Sequence, residues 1–419
     1  MTKVTDASIG ELIDSTLDLA FDYVRSGRSC PGLSDRDFAR LGICRALSNH
    51  DSGRDWLQFM HESWDDDTAR STLSDAMRSP RRRQMLQEAQ DALFTVAGRQ
   101  MAAAGVDWLE DFPELERVQV LAADGHVIEH ASHAAKDAKG RNVPVGTVYA
   151  LDLRTGLSRA AAHVCGDGRR RHELRSFRDW LKAADRYVPT IWVLDRAYHD
   201  KVFWSRMLQD NGVVMITRMK ENMRPQRCGQ VSFDPADPVN AGVTAHWQIG
   251  LEGAYGCMFQ VDYCDPESGE KFSFLTTIDF PRPGLVAWLY FLRWRIEKLY
   301  DTFKNRLNEK KAWAVGEEGA EAQACLVAMA YNLLRLLEAR LAAECGLADT
   351  KVTRKYQKSL QRREQNARAN DRAIHPLLRW PRMPQLSAQF IRTVRNHLFS
   401  PKTIGALLAV FMAAMTAYL

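Results

Sequence analysis

Five short apolar segments between residues 117 and 220 limit the possible folds of this chain more than any other feature. They are rich in β-branched residues and bounded by Gly, Pro or Asp, as strands are, and they cover residues 117–125, 147–156, 157–165, 189–197 and 213–220. The residues at 172–184 and 198–212 between them have helical spacing. Strands in succession, followed by strands that alternate with helices, predict a mixed α/β sheet.

The region before this sheet has a helical hydrophobic period. Within residues 1–115, Ser34 followed by Asp37 is typical of a helix start. Three arginines at 81–83 follow a helical segment, which suits a DNA-reading helix with backbone contacts, but a solvated helical face fits at least as well. We predict a helical N-terminal DNA-binding domain over residues 1–115.

The region after residue 220 changes pattern twice. Residues 116–220 form the first part of the predicted core. Residues 221–282 contain turn residues that separate alternating stretches, which predicts a β-rich insertion. From Pro283 onward the spacing is helical, and we expect one long helix through about Lys310 within residues 283–316.

The positive charge of the chain is concentrated near the C-terminus. Overall, 57 Lys and Arg against 52 Asp and Glu give a net charge of +5, whereas residues 351–402 carry 13 basic and 2 acidic residues, a local +11. A phosphate backbone or an acidic surface suits such a block, and a solvated basic helix is the alternative. Residues 317–419 begin with an Ala/Leu-rich helical stretch from Glu317 to about Glu344. We expect 317–419 to combine dimerisation with DNA contacts.

Composition and cysteine usage indicate a folded protein of a reducing compartment. The chain is 46% hydrophobic and 26% charged, which excludes wholesale disorder and a polytopic membrane protein. The eight cysteines are scattered without a CxxC pair, and Asp and Glu interrupt the N-terminal apolar stretch, unlike in an export signal. The apolar run from Ile404 to Leu419 has 16 residues, fewer than the ~20 of a membrane span, and predicts a buried helix. We expect a cytoplasmic protein with no membrane partner.

Two carboxylates end predicted strands. Asp124 follows the apolar part of 117–125, and Asp195 follows that of 189–197. Ligands and catalytic groups collect at the carboxyl ends of strands in α/β sheets, so the pair suggests a metal site. The alternative is a pair of aspartates that cap helices.

A polar stripe follows in the helical segment after Pro283. Tyr290, Arg293, Glu297 and Lys304 lie at offsets 0, +3, +7 and +14. At 3.6 residues per turn, all four fall within an arc of roughly 60°. One acid flanked by two bases and a phenol suits the binding of oxyanions around a metal ligand. A surface helix with Arg293 and Glu297 as an i,i+4 pair is the alternative.

The stripe resembles the Tyr-Arg-Glu-Lys signature of the DDE transposases of bacterial insertion sequences, matching Tyr290-x2-Arg293-x3-Glu297-x6-Lys304 in full. Residues 195–198, Asp-Arg-Ala-Tyr, resemble the motif at the second aspartate of that family. The resemblance covers residues 117–310. One departure is a histidine at position 126, where a small hydroxyl residue is more usual.

The resemblance implies a ribonuclease H-like fold with a β-rich insertion between the second Asp and the Glu. It implies a metal triad of Asp124, Asp195 and Glu297, and phosphate contacts from Tyr290, Arg293 and Lys304. Such hard oxygen ligands favour two Mg²⁺ or Mn²⁺ ions, which serve both hydrolysis and strand transfer. The implied partners are DNA and a second copy of the chain. The DNA comprises the ends of the element and the target, both located in the nucleoid.

Other residues suit a DNA path without proving one. Arg218, Lys220, Arg224 and Arg227 lead into the insertion, and a further basic set precedes Asp195 at positions 169–171, 175 and 178. Trp247 suits stacking on an unpaired base, although a core tryptophan is the commoner case. His126, His130 and His133 form a weak second metal candidate, since histidines in a polar connection are usually solvated.

The leading hypothesis is therefore a DDE transposase. A metal-dependent nuclease without strand transfer is an alternative that the residues do not separate from it. A catalytically inert DNA-binding relative that acts as a regulator is the third, and the intact set of acids and bases argues against it.

Overall fold

The computed structural model describes residues 3–30, 32–50, 52–64, 67–128, 145–164, 173–183, 188–314, 316–347, 354–372 and 388–416. The helices of this part of the chain are α1 (Ile9–Phe21), α2 (Asp35–Leu47), α3 (Gly53–Trp64), α4 (Arg70–Met77), α5 (Pro80–Ala103), α6 (Glu173–Ala183), α7 (Lys201–Asn211), α8 (Gly284–Arg293), α9 (Arg295–Asn305), α10 (Glu317–Glu344), α11 (Arg354–Ala369), α12 (Ala388–Asn396) and α13 (Leu408–Thr416). The strands are β1 (Gln119–Ile128), β2 (Val145–Asp152), β3 (Ser158–Val164), β4 (Thr190–Leu194), β5 (Val213–Arg218), β6 (Gln226–Gln230), β7 (Val243–Gly250), β8 (Met258–Cys264) and β9 (Lys271–Thr276).

All of these strands join one sheet in the order β3-β2-β1-β4-β5-β9-β8-β7-β6. Strands β1, β4 and β5 are parallel, and the remaining neighbours pair antiparallel. The predicted α/β fold class, with a ribonuclease H-like mixed sheet, is confirmed. Residues 221–282 contribute β6 to β9 and extend the core sheet through the β5–β9 pair. The division of the chain into five domains stays a prediction.

The central strands are buried on both faces. Val120 and Ala122 of β1 and Ile191 and Val193 of β4 pack in one core with α8, α9 and α10. The alternate residues of the same strands pack in a second core with α6 and α7. Because strand side chains alternate between faces, Asp124 and Asp195, two positions beyond Ala122 and Val193, point toward α8 and α9.

The predicted helix from Glu317 to about Glu344 is confirmed as α10, and it lies inside the molecule. Of its 28 residues, 19 are buried, in contact with α2, α5 and β3. Helix α2 approaches closely because a Cβ at Gly42 would lie 2.3 Å from Leu326. Helix α10 is thus covered by its own chain, and dimerisation through 317–419 stays a prediction that must rest on other residues.

The arginines at 81–83 bind within the protein. Arg81 donates to both carboxylate oxygens of Asp35, at 2.7 Å each. Arg82 donates to the backbone carbonyl of Leu33, and Arg83 Nε lies 3.4 Å from a carboxylate oxygen of Glu321. These contacts fix α5 against its neighbours, a role that neither sequence interpretation included.

The prediction of one long helix from Pro283 to Lys310 is wrong, because the segment divides into α8 and α9 at Trp294. The Trp294 N–H donates to the Phe291 carbonyl at 3.3 Å, and the Glu297 N–H donates to the Trp294 carbonyl at 3.2 Å. These i→i−3 bonds tighten the chain at the junction. Helix α9 then ends at Asn305, since Glu309 turns into the core.

The C-terminal segments are helical, as expected. The apolar run from Ile404 contains α13, with Phe411 fully buried and Val410 48% exposed; residues 417–419 lie outside the described part. In the basic block, Arg363 of α11 binds Glu267 at 2.6 Å. Among the described helices, none combines the length and the apolar character that crossing a membrane requires. The seven cysteines in the described part are free thiols.

Candidate active site

Two parallel strands bring Asp124 and Asp195 side by side. In the β1–β4 register, Ala123 is paired with Leu194. Each aspartate follows that pair directly, on the face covered by α8 and α9. Asp124 accepts a hydrogen bond from the Gly125 N–H at 2.9 Å. Asp195 directly follows the last residue of β4, as the sequence indicated. The predicted strand end at Asp124 is wrong, because β1 continues to Ile128 through its pairing with β2. Both acids nevertheless stand at the carboxyl end of the parallel β1–β4 pairing.

Helices α8 and α9 are anchored over Asp124 and Asp195. Helix α8 starts at Gly284, whose N–H donates to Oδ1 of Asn240 at 3.0 Å. A Cβ at Gly284 would lie 1.9 Å from the Val239 carbonyl oxygen, so only glycine allows this approach. Helix α8 contacts β4 and β5, while α9 contacts β1 and β2. The end of α8 and the start of α9 therefore face the two aspartates.

The Arg293 guanidinium lies among three carboxylates, and we call these four residues the acidic site. Arg293 Nη1 lies 3.2 Å from Oδ2 of Asp124. Arg293 Nη2 lies 3.9 Å from Oδ1 of Asp195 and 4.0 Å from Oε1 of Glu297. The Tyr290 hydroxyl donates to Oδ1 of Asp195 at 3.5 Å. The structure thus brings together five of the predicted site residues from three distant parts of the sequence.

Burial makes Asp124 and Glu297 harder to ionise. Desolvation raises the pKa of Asp124, and the Arg293 guanidinium partly opposes this effect. The pKa of Glu297 is also raised by desolvation, again with Arg293 acting in the opposite direction. Additional positive charge at the acidic site would stabilise the ionised carboxylates.

The donor atoms of the acidic site suit a divalent metal ion. Three carboxylates supply hard oxygen ligands of the kind that Mg²⁺ and Mn²⁺ prefer. Within the described ranges, however, no three His, Cys, Asp or Glu side chains are grouped closely enough to hold a metal ion as they stand. The three carboxylates instead surround the Arg293 guanidinium. The ligand chemistry fits such an ion, but the cation that lies among these carboxylates in the structure is the Arg293 guanidinium.

The other predicted DNA-binding residues lie around the site rather than in it. Arg218 ends β5 on the same face, with its guanidinium 4.8 Å from the Phe272 ring centre. Lys220 lies near His199, whose pKa is lowered by burial and by that lysine. Lys304 is exposed in the last turn of α9, two turns beyond Glu297, or about 10 Å along the axis.

The remaining sequence candidates have varied environments. Arg178 pairs with Asp200 at 2.7 Å, and Arg224 donates to nearby backbone carbonyls. Trp247 is half-buried, with the Arg227 guanidinium 4.2 Å from its ring centre. Arg175 is exposed beside Asp179. Residues 169–171, His130 and His133 lie outside the described residues, so the histidine cluster is untested.

A second polar cluster, which the sequence did not reveal, lies next to Asp124. We call His126, Tyr149, Tyr300 and Glu309 the support cluster. The Tyr149 hydroxyl donates to Oε1 of Glu309 at 2.5 Å, and His126 Nε2 lies 3.3 Å from Oε2 of Glu309 without hydrogen-bond alignment. His126 stacks on Tyr300, whose hydroxyl donates to the Asp124 backbone carbonyl at 2.5 Å. These contacts tie β1, β2 and α9 together beneath the acidic site.

Glu173 is a fourth carboxylate near the strand ends that the sequence analysis missed. A Cβ at Gly125 would lie 2.2 Å from the Glu173 carboxyl group, so the glycine leaves room for it. The Tyr198 hydroxyl donates to Oε2 of Glu173 at 3.4 Å. The glycine after Asp124 was the available sequence signal, but it does not identify the side chain that fills the space.

Residues 117–333 match the family model described as the transposase DDE domain. The match runs from just before β1 into the middle of α10, and it contains the whole acidic site and the support cluster. No curated protein is similar enough in sequence to match this chain. The family match covers just over half of the 419 residues. The chain belongs to the transposase DDE domain family.

Proposed function

We propose that this transposase cleaves DNA at the ends of an insertion element and joins the freed 3′-hydroxyls to target DNA. The observation that carries the proposal is the convergence of Asp124, Asp195 and Glu297 on one cation, the Arg293 guanidinium. The spacing of Tyr290, Arg293, Glu297 and Lys304 further supports membership of the Tyr-Arg-Glu-Lys subgroup.

The three carboxylates are the proposed ligands of divalent ions. Two bound Mg²⁺ or Mn²⁺ ions would activate the attacking oxygen and stabilise the leaving oxygen of a phosphodiester. The contribution of the chain is to hold Asp124 on β1 beside Asp195 at the end of β4 and to bring Glu297 over them from α9. The support cluster, which joins β1, β2 and α9, keeps Asp124 and Glu297 in place during the reaction.

Two reactions of one chemical type follow. In cleavage, a water oxygen bonds to phosphorus, the bond to the 3′-oxygen breaks, and a 3′-hydroxyl and a 5′-phosphate are left. In strand transfer, that 3′-hydroxyl bonds to a target phosphorus and displaces a target 3′-oxygen as a new hydroxyl. The number of phosphodiester bonds is unchanged by transfer, so no external energy source is needed.

DNA binding is proposed to use the basic groups around the acidic site. Tyr290, Arg293, Arg218 and Lys304 face or flank the strand ends, and Lys220 lies beyond them. The exposed cations of α11, Lys358, Arg362 and Arg368, are further proposed phosphate contacts. Cleavage of two element ends in one complex would require a second copy of the chain, which we propose as the partner.

A joining assay tests this proposal. Purified protein is incubated with linear donor ends, a supercoiled target plasmid and Mg²⁺, and the products are separated by size. Joined donor–target molecules are expected with the wild type and not with Asp195→Asn. Cleaved donor without joined product would favour the nuclease alternative, and binding without cleavage would favour the inert regulator.

A further inference from the structure

Arg293 is the cation of the acidic site and is itself buried, with 8% of its surface exposed. It lies within 4.0 Å of one carboxylate from each of β1, β4 and α9. Those are the oxygens that the proposed function assigns to a divalent ion. The guanidinium and the ion would therefore use the same carboxylates, and full occupancy by one excludes close approach of the other.

The bonds that hold Arg293 to the three carboxylates are weak for a buried arginine. Of the three carboxylate contacts, only the 3.2 Å contact to Asp124 is within hydrogen-bonding distance, and the other two are 3.9 and 4.0 Å. Arg293 Nε has no hydrogen-bond partner within the described part of the protein. Arg81, by contrast, is held by two bonds of 2.7 Å to one carboxylate. Arg293 is thus attracted by surrounding charge and is not locked by bidentate geometry.

We propose that Arg293 is a removable counter-ion that occupies the acidic site in the free protein and leaves it when a DNA phosphate binds the guanidinium. This proposal rests on the proposed function, because it assumes that the three carboxylates hold the divalent ion. It adds that the metal site is weak until DNA is present.

A phosphate is a suitable competitor for the guanidinium. Arginine binds phosphate through two parallel charge-assisted hydrogen bonds, a geometry that the carboxylates do not give Arg293. The side chain starts at the last residue of α8, beside the junction at Trp294, so a change of rotamer needs no movement of β1 or β4. When the guanidinium leaves, the negative charge of the three carboxylates is no longer compensated, and this favours binding of a divalent ion.

Binding of metal and of DNA must then strengthen each other. If DNA increases the metal affinity by some factor, the metal increases DNA affinity by the same factor, because the coupling free energy is shared. The free protein would bind metal weakly and would have little nuclease activity away from its complex. Arg293 would thus contribute to binding DNA and also prevent premature assembly of the metal site.

Mn²⁺ binding measured by electron paramagnetic resonance tests this role without relying on activity. Titrations of the wild type, Arg293→Gln, Arg293→Lys and Asp124→Asn with Mn²⁺ alone give the affinity of each free protein. Lys298→Gln is the matched control, since it removes a positive charge from an exposed position of α9 next to Glu297. The titrations of wild type, Arg293→Gln and Asp124→Asn are then repeated with a mixed-sequence DNA duplex at low salt.

We expect Arg293→Gln to bind Mn²⁺ about tenfold or more tightly than the wild type, since a neighbouring positive charge is removed. Arg293→Lys and Lys298→Gln should stay within about threefold of the wild type, because each keeps a cation at position 293. Duplex DNA should strengthen Mn²⁺ binding by the wild type far more than by Arg293→Gln.

Two results would overturn the proposal, and they differ. If the wild type and Arg293→Gln bind Mn²⁺ equally and Asp124→Asn binds it poorly, the metal site stands and Arg293 does not control it. If Asp124→Asn binds Mn²⁺ as well as the wild type in every condition, the carboxylates are not the ligands. In that case the proposed function fails as well.

Discussion

The acidic site and the support cluster are neighbours on β1, but their carboxylates differ in exposure to solvent and in hydrogen bonding. The carboxylates of the acidic site are partly open, with side-chain exposures of 25% for Asp124, 34% for Asp195 and 39% for Glu297. In the support cluster, Glu309 is 2% exposed and binds the fully buried Tyr149. One cluster keeps oxygen atoms available for a ligand, whereas the other uses its carboxylate inside the protein.

The difference indicates a structural role for the support cluster and a ligand-binding role for the acidic site. A buried carboxylate that accepts a short hydrogen bond fixes the positions of the elements it joins, and removing it leaves polar groups without partners. Three carboxylates around one loosely held guanidinium retain unsatisfied negative charge, which a divalent ion can use. Variants of the two clusters should therefore affect different measurements.

The largest expected effect is loss of cleavage from the acidic site. Asp124→Asn, Asp195→Asn or Glu297→Gln keeps the side-chain shape but removes a charged ligand oxygen, so cleavage in Mg²⁺ should fall by orders of magnitude. DNA binding in EDTA should persist or tighten, because a negative charge near the phosphates is gone. Gel-shift and cleavage assays on the same preparations check both, and near-normal cleavage by one variant would remove that residue from the site.

The next largest effect is on stability and comes from the support cluster. Glu309→Ala leaves the buried Tyr149 hydroxyl without its hydrogen-bond partner and opens a cavity, and should lower the free energy of unfolding by about 2–4 kcal/mol. Glu309→Gln keeps an acceptor for Tyr149 and should lower it less. Urea denaturation measures both, with Glu252→Ala, at an exposed turn, as the control. A Glu309→Ala protein as stable as the control would contradict the supporting role.

A smaller effect concerns pH. The pKa of Asp124 is raised in the folded protein, so ionising it lowers stability above that pKa, and this loss disappears as the pH falls below the unfolded value of about 3.9. Without metal, Asp124→Asn should therefore be more stable than the wild type near pH 8. The difference in melting temperature should shrink toward pH 4. A constant or growing difference would show that burial of this charge is not the cause.

The smallest effect is expected at Lys304. Because its side chain is exposed, Lys304→Ala should change the free energy of unfolding by less than ~0.5 kcal/mol. If the lysine contacts a phosphate, DNA affinity should fall and the slope of log affinity against log salt should decrease by about 1. Fluorescence anisotropy at several salt concentrations measures the slope. An unchanged slope would place Lys304 off the DNA path.

Features set by local sequence were predictable. The end of β4 before Asp195 follows from an apolar run that stops at a carboxylate, and α10 follows from its composition and period. The continuation of β1 past Asp124 to Ile128 depends on its pairing with β2 and was not predicted. The division of the helical segment at Trp294 was not predictable, since two i→i−3 hydrogen bonds change the helix without changing its apolar spacing. The site prediction placed Arg293 on one stripe with Glu297, but its position among three acids depends on how α8 is docked by Gly284.

Features that join distant residues could not be predicted from one sequence. Tyr149 and Glu309 are 160 positions apart, and nothing in either local pattern indicates that they share a hydrogen bond. The contacts of the arginines at 81–83 could not be predicted for the same reason, because Asp35 is 46 positions from Arg81. Their charge suggested an external partner, whereas the partner lies within the fold. A run of basic residues identifies the chemistry of a partner and not its location.

The most direct test of the account is to locate the metal. Crystals of the protein bound to duplex DNA and grown with Mn²⁺ would show the ions by anomalous scattering. We expect anomalous peaks bonded to oxygens of Asp124, Asp195 and Glu297, with the Arg293 guanidinium moved onto a DNA phosphate. Peaks at other residues, with Arg293 still among the three carboxylates, would contradict it.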